Sequence, residues 1–137
     1  MTAITVLHGE AEVRAAVGND LGTTEWSAVT QGNLDGFREA TGDPAGTYLA
    51  ISLSNMLLPQ IVEVRGFSMG INYGTDAVTF GEPLRAGDLI RGNARLVDVV
   101  DVKGGIQTTM IITVEVAGRG PACTIQSLSR WLGAEES

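Results

Sequence analysis

The chain has 137 residues, 44% hydrophobic and 18% charged, which suits one domain spanning 1–137 with a real core. A net charge of −7 and the lack of a basic stripe argue against nucleic acid as a partner and against charge attraction to an anionic membrane. The single cysteine, Cys123, excludes an internal disulfide, and with His8 the only histidine no zinc cluster can be drawn, so no metal or other cofactor is expected.

The first residues, Met1 to Leu7, lack a basic region followed by a long apolar core, and no run is long enough to span a bilayer. The expectation is a soluble, cytoplasmic chain. Glu10 to Val17 reads as a short helix, with Val13 and Val17 four residues apart and Gly18 at its end. Thr24 to Val29 alternates as a strand. Thr30 is a candidate N-cap for a second helix, Asn33 to Ala40, with Leu34 and Phe37 as its buried stripe and Gly42 as its stop. Tyr48 to Leu58 is apolar around most of its circumference, the pattern of a buried helix, and Pro59 ends it.

From there the pattern turns to strands. Val62 to Tyr73 is rich in β-branched residues, Gly74–Asp76 reads as a turn, and Ala77 to Phe80 as a short run. Gly81 to Gly87 contains Pro83 and ends in a turn. Asp88 to Val100 is a long strand, and Lys103, Gly104 and Gly105 form a hairpin turn. Ile106, Met110, Ile112, Val114 and Val116 then share one face, with Gln107, Thr109, Thr113 and Glu115 on the other. That period of two with one wet face indicates an antiparallel sheet. Gly118 to Pro121 turns the chain into a last strand, Ala122 to Leu132, followed by a frayed tail, Gly133 to Ser137. Cys123, in an apolar run, reads as a buried, inert thiol.

The order predicts an α+β fold: an antiparallel sheet wrapped around one central buried helix, which is the hot-dog architecture. A single such layer leaves an edge and apolar surface uncovered, so a homodimer is expected.

Three segments resemble one family. The run from Asn72 to Asp88, NYGTDAVTFGEPLRAGD, is similar to the strand–turn–strand signature of MaoC-like proteins of the nodulation-protein-N and (R)-specific enoyl-CoA hydratase type. Val29 to Asp43 resembles that family's entry segment to its active site, and Pro121 to Leu132 its last strand. The resemblance covers Thr24 to Leu132. It implies a hot-dog fold, an acyl-thioester ligand on coenzyme A or a carrier protein, and addition or removal of water at a 2-enoyl or 3-hydroxyacyl group.

The chain departs from that pattern at the centre. The family's hydratases place a histidine five residues after the aspartate that Asp43 matches, and here the fifth residue is Tyr48. The family then runs through a loop to the glycine that opens its central helix. Here Pro44, Ala45 and Gly46 follow Asp43 directly, so the simplest alignment sets Gly46 at the helix-opening glycine with the intervening loop deleted. Thr79 and Gln126 stand where relatives often carry an arginine and an acidic residue.

Hydrating an enoyl thioester requires a base for water, an acid for the α-carbon, and donors for the thioester oxygen. The N-terminus of the central helix, at Gly46 and Thr47, is the candidate oxygen-binding end; the alternative is a plain helix start capped by Thr47. Asp43 is the surviving carboxylate, or else a capping aspartate. Tyr48 and Tyr73 are candidate proton donors, or else packing residues, and Asn72 is a candidate amide donor or a turn residue. Arg65, Arg85 and Arg91 are candidate contacts for an anionic ligand, or solvated surface.

Three functions follow. The first is a non-standard enzyme performing dehydration, isomerisation or cyclisation on an acyl-thioester or polyketide-type intermediate. The second is a non-catalytic binding or structural subunit pairing with a catalytic hot-dog partner. The third, an ordinary (R)-specific enoyl-CoA hydratase, fits least because the histidine and the loop are missing.

Overall fold

A computed structural model describes residues 3–44 and 46–135. The start of the segment read as lacking a leader (Met1, Thr2), Ala45 of the shortened loop and the end of the frayed tail (Glu136, Ser137) lie outside the described residues.

Two short elements open the chain, β1 (Thr5–His8) and α1 (Gly9–Ala15). Of the region expected as one strand, Thr24 to Val29, only β3 (Ser27–Ala28) is a strand, and an unforeseen strand, β2 (Asp20–Thr23), precedes it. Thr24 divides them. Its hydroxyl accepts from the Gly92 N–H at 3.0 Å and donates to the Glu25 carbonyl at 2.9 Å, bonds that a continuous ladder would not leave to it.

Helix α2 (Gln31–Thr41) forms where Thr30 and Gly42 place it. The Thr30 hydroxyl accepts from the Asn33 N–H at 3.0 Å, and the Asn33 side chain accepts from the Thr30 N–H at 2.9 Å. This reciprocal pair satisfies two otherwise orphaned donors. Gly42, at φ +76°, adopts the left-handed conformation that closes the helix.

Helix α3 (Thr47–Leu57) runs into a 3₁₀ turn, Leu58–Gln60, that carries Pro59. It packs on the inner face of the sheet, but its burial is one-sided in the single chain. Leu49, Ala50 and Leu57 are buried, whereas Tyr48 and Met56 are exposed. The all-round apolar pattern therefore covers the sheet with one stripe and leaves another open.

The remaining strands are β4 (Val62–Arg65), β5 (Phe67–Phe80), β6 (Leu89–Val102), β7 (Gly105–Val116) and β8 (Gly120–Ala134). Antiparallel pairing sets the order β2-β6-β7-β8-β5, with β3 also on β6. The two-residue connection Lys103–Gly104 joins β6 to β7, with Gly104 at φ +86°. On β7 every even-numbered residue from Ile106 to Val116 is buried, so the alternation read from the sequence sets the inner face. Ile90, Ala94, Leu96, Cys123 and Ile125 extend that face across the neighbouring strands. Helix α3 packs against β6, β7 and β8, and Leu57 lies over Gly92, where an added Cβ would stand 3.0 Å from its own Cβ. A large antiparallel sheet curled over one helix is the hot-dog fold.

Two expectations about strands are corrected. Val62 to Tyr73 is not one strand: β4 leaves to pair in parallel with β1, and Gly66, at φ +90°, turns the chain into β5. Gly74–Asp76 is not a turn. β5 passes straight through it along β8, and register slips between Asn72 and Gly74 and between Thr75 and Ala77 absorb the extra residues as bulges. Among the described residues no helix is long and apolar enough to cross a membrane.

Candidate active site

Only residues 42–46 separate α2 from α3, so the first turn of α3 is held close to the end of α2. Gly46 is the pivot. Its φ is +70°, and a Cβ there would lie 3.2 Å from Leu34 Cδ2 and 3.3 Å from the Leu84 carbonyl oxygen. Both the left-handed backbone and the close approach demand glycine. Leu34 comes from α2 and Leu84 from the 81–88 segment, so three pieces of chain converge at the N-terminus of α3.

Polar bonds pin the 81–88 segment in place. The Arg85 N–H donates to Asp88 Oδ2 at 2.7 Å, and Gly87 N–H to the Val29 carbonyl at 2.8 Å. The Arg119 guanidinium pairs with Asp88 and reaches the Pro83 carbonyl at 3.4 Å.

Asp43 is half-buried at this junction, and its Oδ2 accepts from the Tyr48 N–H at 3.1 Å. A carboxylate at the first turn of a helix satisfies an orphan donor and meets the positive end of the helix dipole. The capping bond thus occupies one of the N–H groups that were candidates for a thioester oxygen. Thr47 is half-buried beside it. Tyr48 is exposed and makes an edge contact with Phe80 at a centroid distance of 5.6 Å. Asp43, Gly46, Thr47 and Tyr48 therefore form one cluster.

Asn72 and Tyr73 belong elsewhere. Arg130 and Gln107 face one another across β8 and β7 on the outer side of the sheet, joined by a 2.9 Å hydrogen bond. The Arg130 guanidinium lies 3.7 Å from the Tyr73 ring centroid. This places Tyr73 on the outer face, away from α3. Asn72 points inward and lines a cavity of about 260 Å³ between α3 and the sheet. The cavity is bounded by Ile51, Ser52, Ser54 and Asn55 of α3, by Leu58 of the 3₁₀ turn, by Asn72 and Thr75 of β5, by Ile112 of β7, and by Ile125, Ser127 and Ser129 of β8.

The sequence reading missed Thr75, Ser127 and Ser129. Their signal lay in β8: inward Cys123 and Ile125 are followed at the same period by Ser127 and Ser129. Polar residues at core-facing strand positions mark a cavity or a ligand.

The other candidates lie outside both clusters. His8 ends β1 in the separate two-stranded sheet. Arg65 pairs with Glu63 at 3.1 Å. Arg91 makes a two-point bond to Glu115 at 3.0 and 3.3 Å and stacks on Trp26. Arg85 is exposed and follows Leu84, whose carbonyl lies against Gly46.

No family model matches the chain. It is 33% identical to 3-hydroxyacyl-thioester dehydratase Z of Mycobacterium tuberculosis, over 89% of this chain and 95% of that protein. That match spans 143 positions, more than the 137 residues here, so the relative carries residues that this chain lacks. Nodulation protein N of Rhizobium leguminosarum is 32% identical over 83% of this chain and 85% of its own. The fold is shared with a MaoC-like dehydratase from Rhodospirillum rubrum at a TM-score of 0.64 and 13% identity, covering 88% of this chain and 95% of the other. Sequence and architecture together show that the chain belongs to the MaoC-like family of hydratases and dehydratases.

Proposed function

We propose that this protein takes an acyl thioester, carried on coenzyme A or a carrier protein, and performs a single-carboxylate acid–base step on a polyketide-type intermediate. Dehydration, isomerisation and cyclisation all fit that description. In each, one carboxylate can take a proton from the substrate and return it while a backbone donor polarises the thioester oxygen; in dehydration the α-proton that the carboxylate takes is delivered to the departing β-hydroxyl, which leaves as water. The observation that carries the reading is Asp43 held at the N-terminus of α3 by the Tyr48 N–H, with no histidine among the described residues of that cluster.

Asp43 acts as the base, and the neighbouring first-turn N–H of Thr47 is the donor for the thioester oxygen. Tyr48, exposed beside Phe80, is placed to hydrogen-bond a substrate oxygen entering along the helix end. The relatives support the substrate class, since one is named for dehydrating a 3-hydroxyacyl thioester.

The test is turnover of a 3-hydroxyacyl or polyketide-type thioester by purified protein, read by mass spectrometry. Asp43→Asn keeps the capping oxygen and removes the base, and should lower the rate by about 10²-fold or more. An unchanged rate would remove Asp43 from the chemistry.

A second reading is favoured by the same bond. If the carboxylate serves only as a helix cap, the chain is a binding subunit that pairs with a catalytic hot-dog partner. Co-purification with a chain carrying both the aspartate and the histidine supports that reading; turnover by the homomeric protein removes it.

A further inference from the structure

Most of the polar side chains lining the α3–sheet cavity make no hydrogen bond among the described residues. Asn72 and Ser129 are cross-strand partners, as are Thr75 and Ser127, so two adjacent polar pairs line the β5 and β8 side of the cavity. None of these four side chains, nor that of Asn55 on α3, makes a hydrogen bond within the chain among the described residues. Ser52 and Ser54 differ: their hydroxyls donate to the Tyr48 and Ile51 carbonyls at 3.0 and 2.6 Å and retain only acceptor capacity toward the cavity. Apolar contact comes from Ile51, Leu58, Ile112 and Ile125.

From this lining we infer that the cavity selects an oxygenated acyl group, one bearing hydroxyl or keto oxygens along its chain, over a saturated alkyl chain of the same length. The inference rests on the acyl-thioester reading above and names the substrate class for it. A saturated chain entering the cavity would displace water from three hydroxyls and two amides and return no hydrogen bond to any of them. Unpaired groups of that kind discriminate far more strongly than a surplus methylene does. A chain with oxygens at alternate carbons meets hydroxyls that donate and accept, and amides that do both. The apolar residues pack its carbon skeleton. The volume, about 260 Å³, falls just below the range of about 300–1,000 Å³ for drug-sized ligands. It therefore suits a short acyl group.

The experiment is calorimetric titration of the full-length protein with two N-acetylcysteamine thioesters of equal length, hexanoyl and 3,5-dihydroxyhexanoyl. The oxygenated thioester should bind at least tenfold more tightly. In the variants Ser127→Ala and Ser129→Val, with folding checked by circular dichroism, that ratio should fall toward one as hexanoyl binding strengthens. Equal affinities in the unaltered protein, or a ratio unmoved in both variants, would overturn the selectivity while leaving the thioester reading standing. Binding of neither thioester would overturn both.

Discussion

At Gly46 the backbone and the packing make the same demand. A φ of +70° costs a non-glycine residue about 1–2 kcal/mol, and a Cβ would press on Leu34 and on the Leu84 carbonyl, a backbone atom that cannot rotate away. Gly46→Ala should therefore lower stability by at least that amount in urea titration, and should weaken ligand binding by shifting the first turn of α3. Cys123 makes a different point. It is fully buried, and burial pushes its thiol up to about 11 from an ordinary 9.0. The folded chain then holds its proton where the unfolded chain has lost it, so this contribution to stability is complete below pH 9 and lost as pH rises from about 9 through 11. Replacing Cys123 by Ala should flatten the fall in melting temperature over that window, and the native thiol should resist alkylation until the protein unfolds. The inert reading of Cys123 was legible because its neighbours are apolar. The placement of Tyr73 was not: alternation alone puts Asn72 and Tyr73 on opposite faces but cannot say which is inner, and the bulge after Asn72 resets the count.

The helices were legible at the level of the element because their ends carry explicit signals. Thr30, Asn33 and Gly42 mark α2, and Pro59 marks the end of α3. Thr30→Ala removes the capping bond and should cost about 0.5–2 kcal/mol, measured by chemical denaturation. Leu57→Ala should cost about 2–5 kcal/mol, because Leu57 is buried over Gly92 and no neighbouring backbone can collapse into the space. The strand boundaries were harder to read. Glycine and aspartate at 74–76 favour a turn locally, but pairing with β8 on both sides of them keeps β5 extended. Likewise nothing local distinguishes β4 from the start of β5, since its partner β1 lies more than fifty residues away in the chain. The short spacing between Asp43 and Gly46 was legible in the sequence, and it leaves Asp43 close enough to the helix N-terminus to accept from the Tyr48 N–H.

β5 forms the end of the sheet, and its outer face presents Met69, Ile71 and Tyr73 to solvent. An exposed apolar edge of that length favours pairing with a second copy. Sedimentation should give about twice the 14.4 kDa chain mass, and Ile71→Lys should shift it toward the single chain; a monomer at micromolar concentration would contradict the expectation. The exposed stripe of α3, with Tyr48 and Met56, belongs to the same question of what the second copy covers. As a whole the molecule has its family's sheet curled over a central helix, with Asp43 at that helix's N-terminus and no histidine beside it among the described residues. Hydration of crotonyl-CoA by the purified chain tests that most directly. The account, in which Asp43 alone carries the proton in either direction, predicts that any hydration falls by about 10²-fold or more in Asp43→Asn, whereas hydration at an unchanged rate in that variant would contradict it.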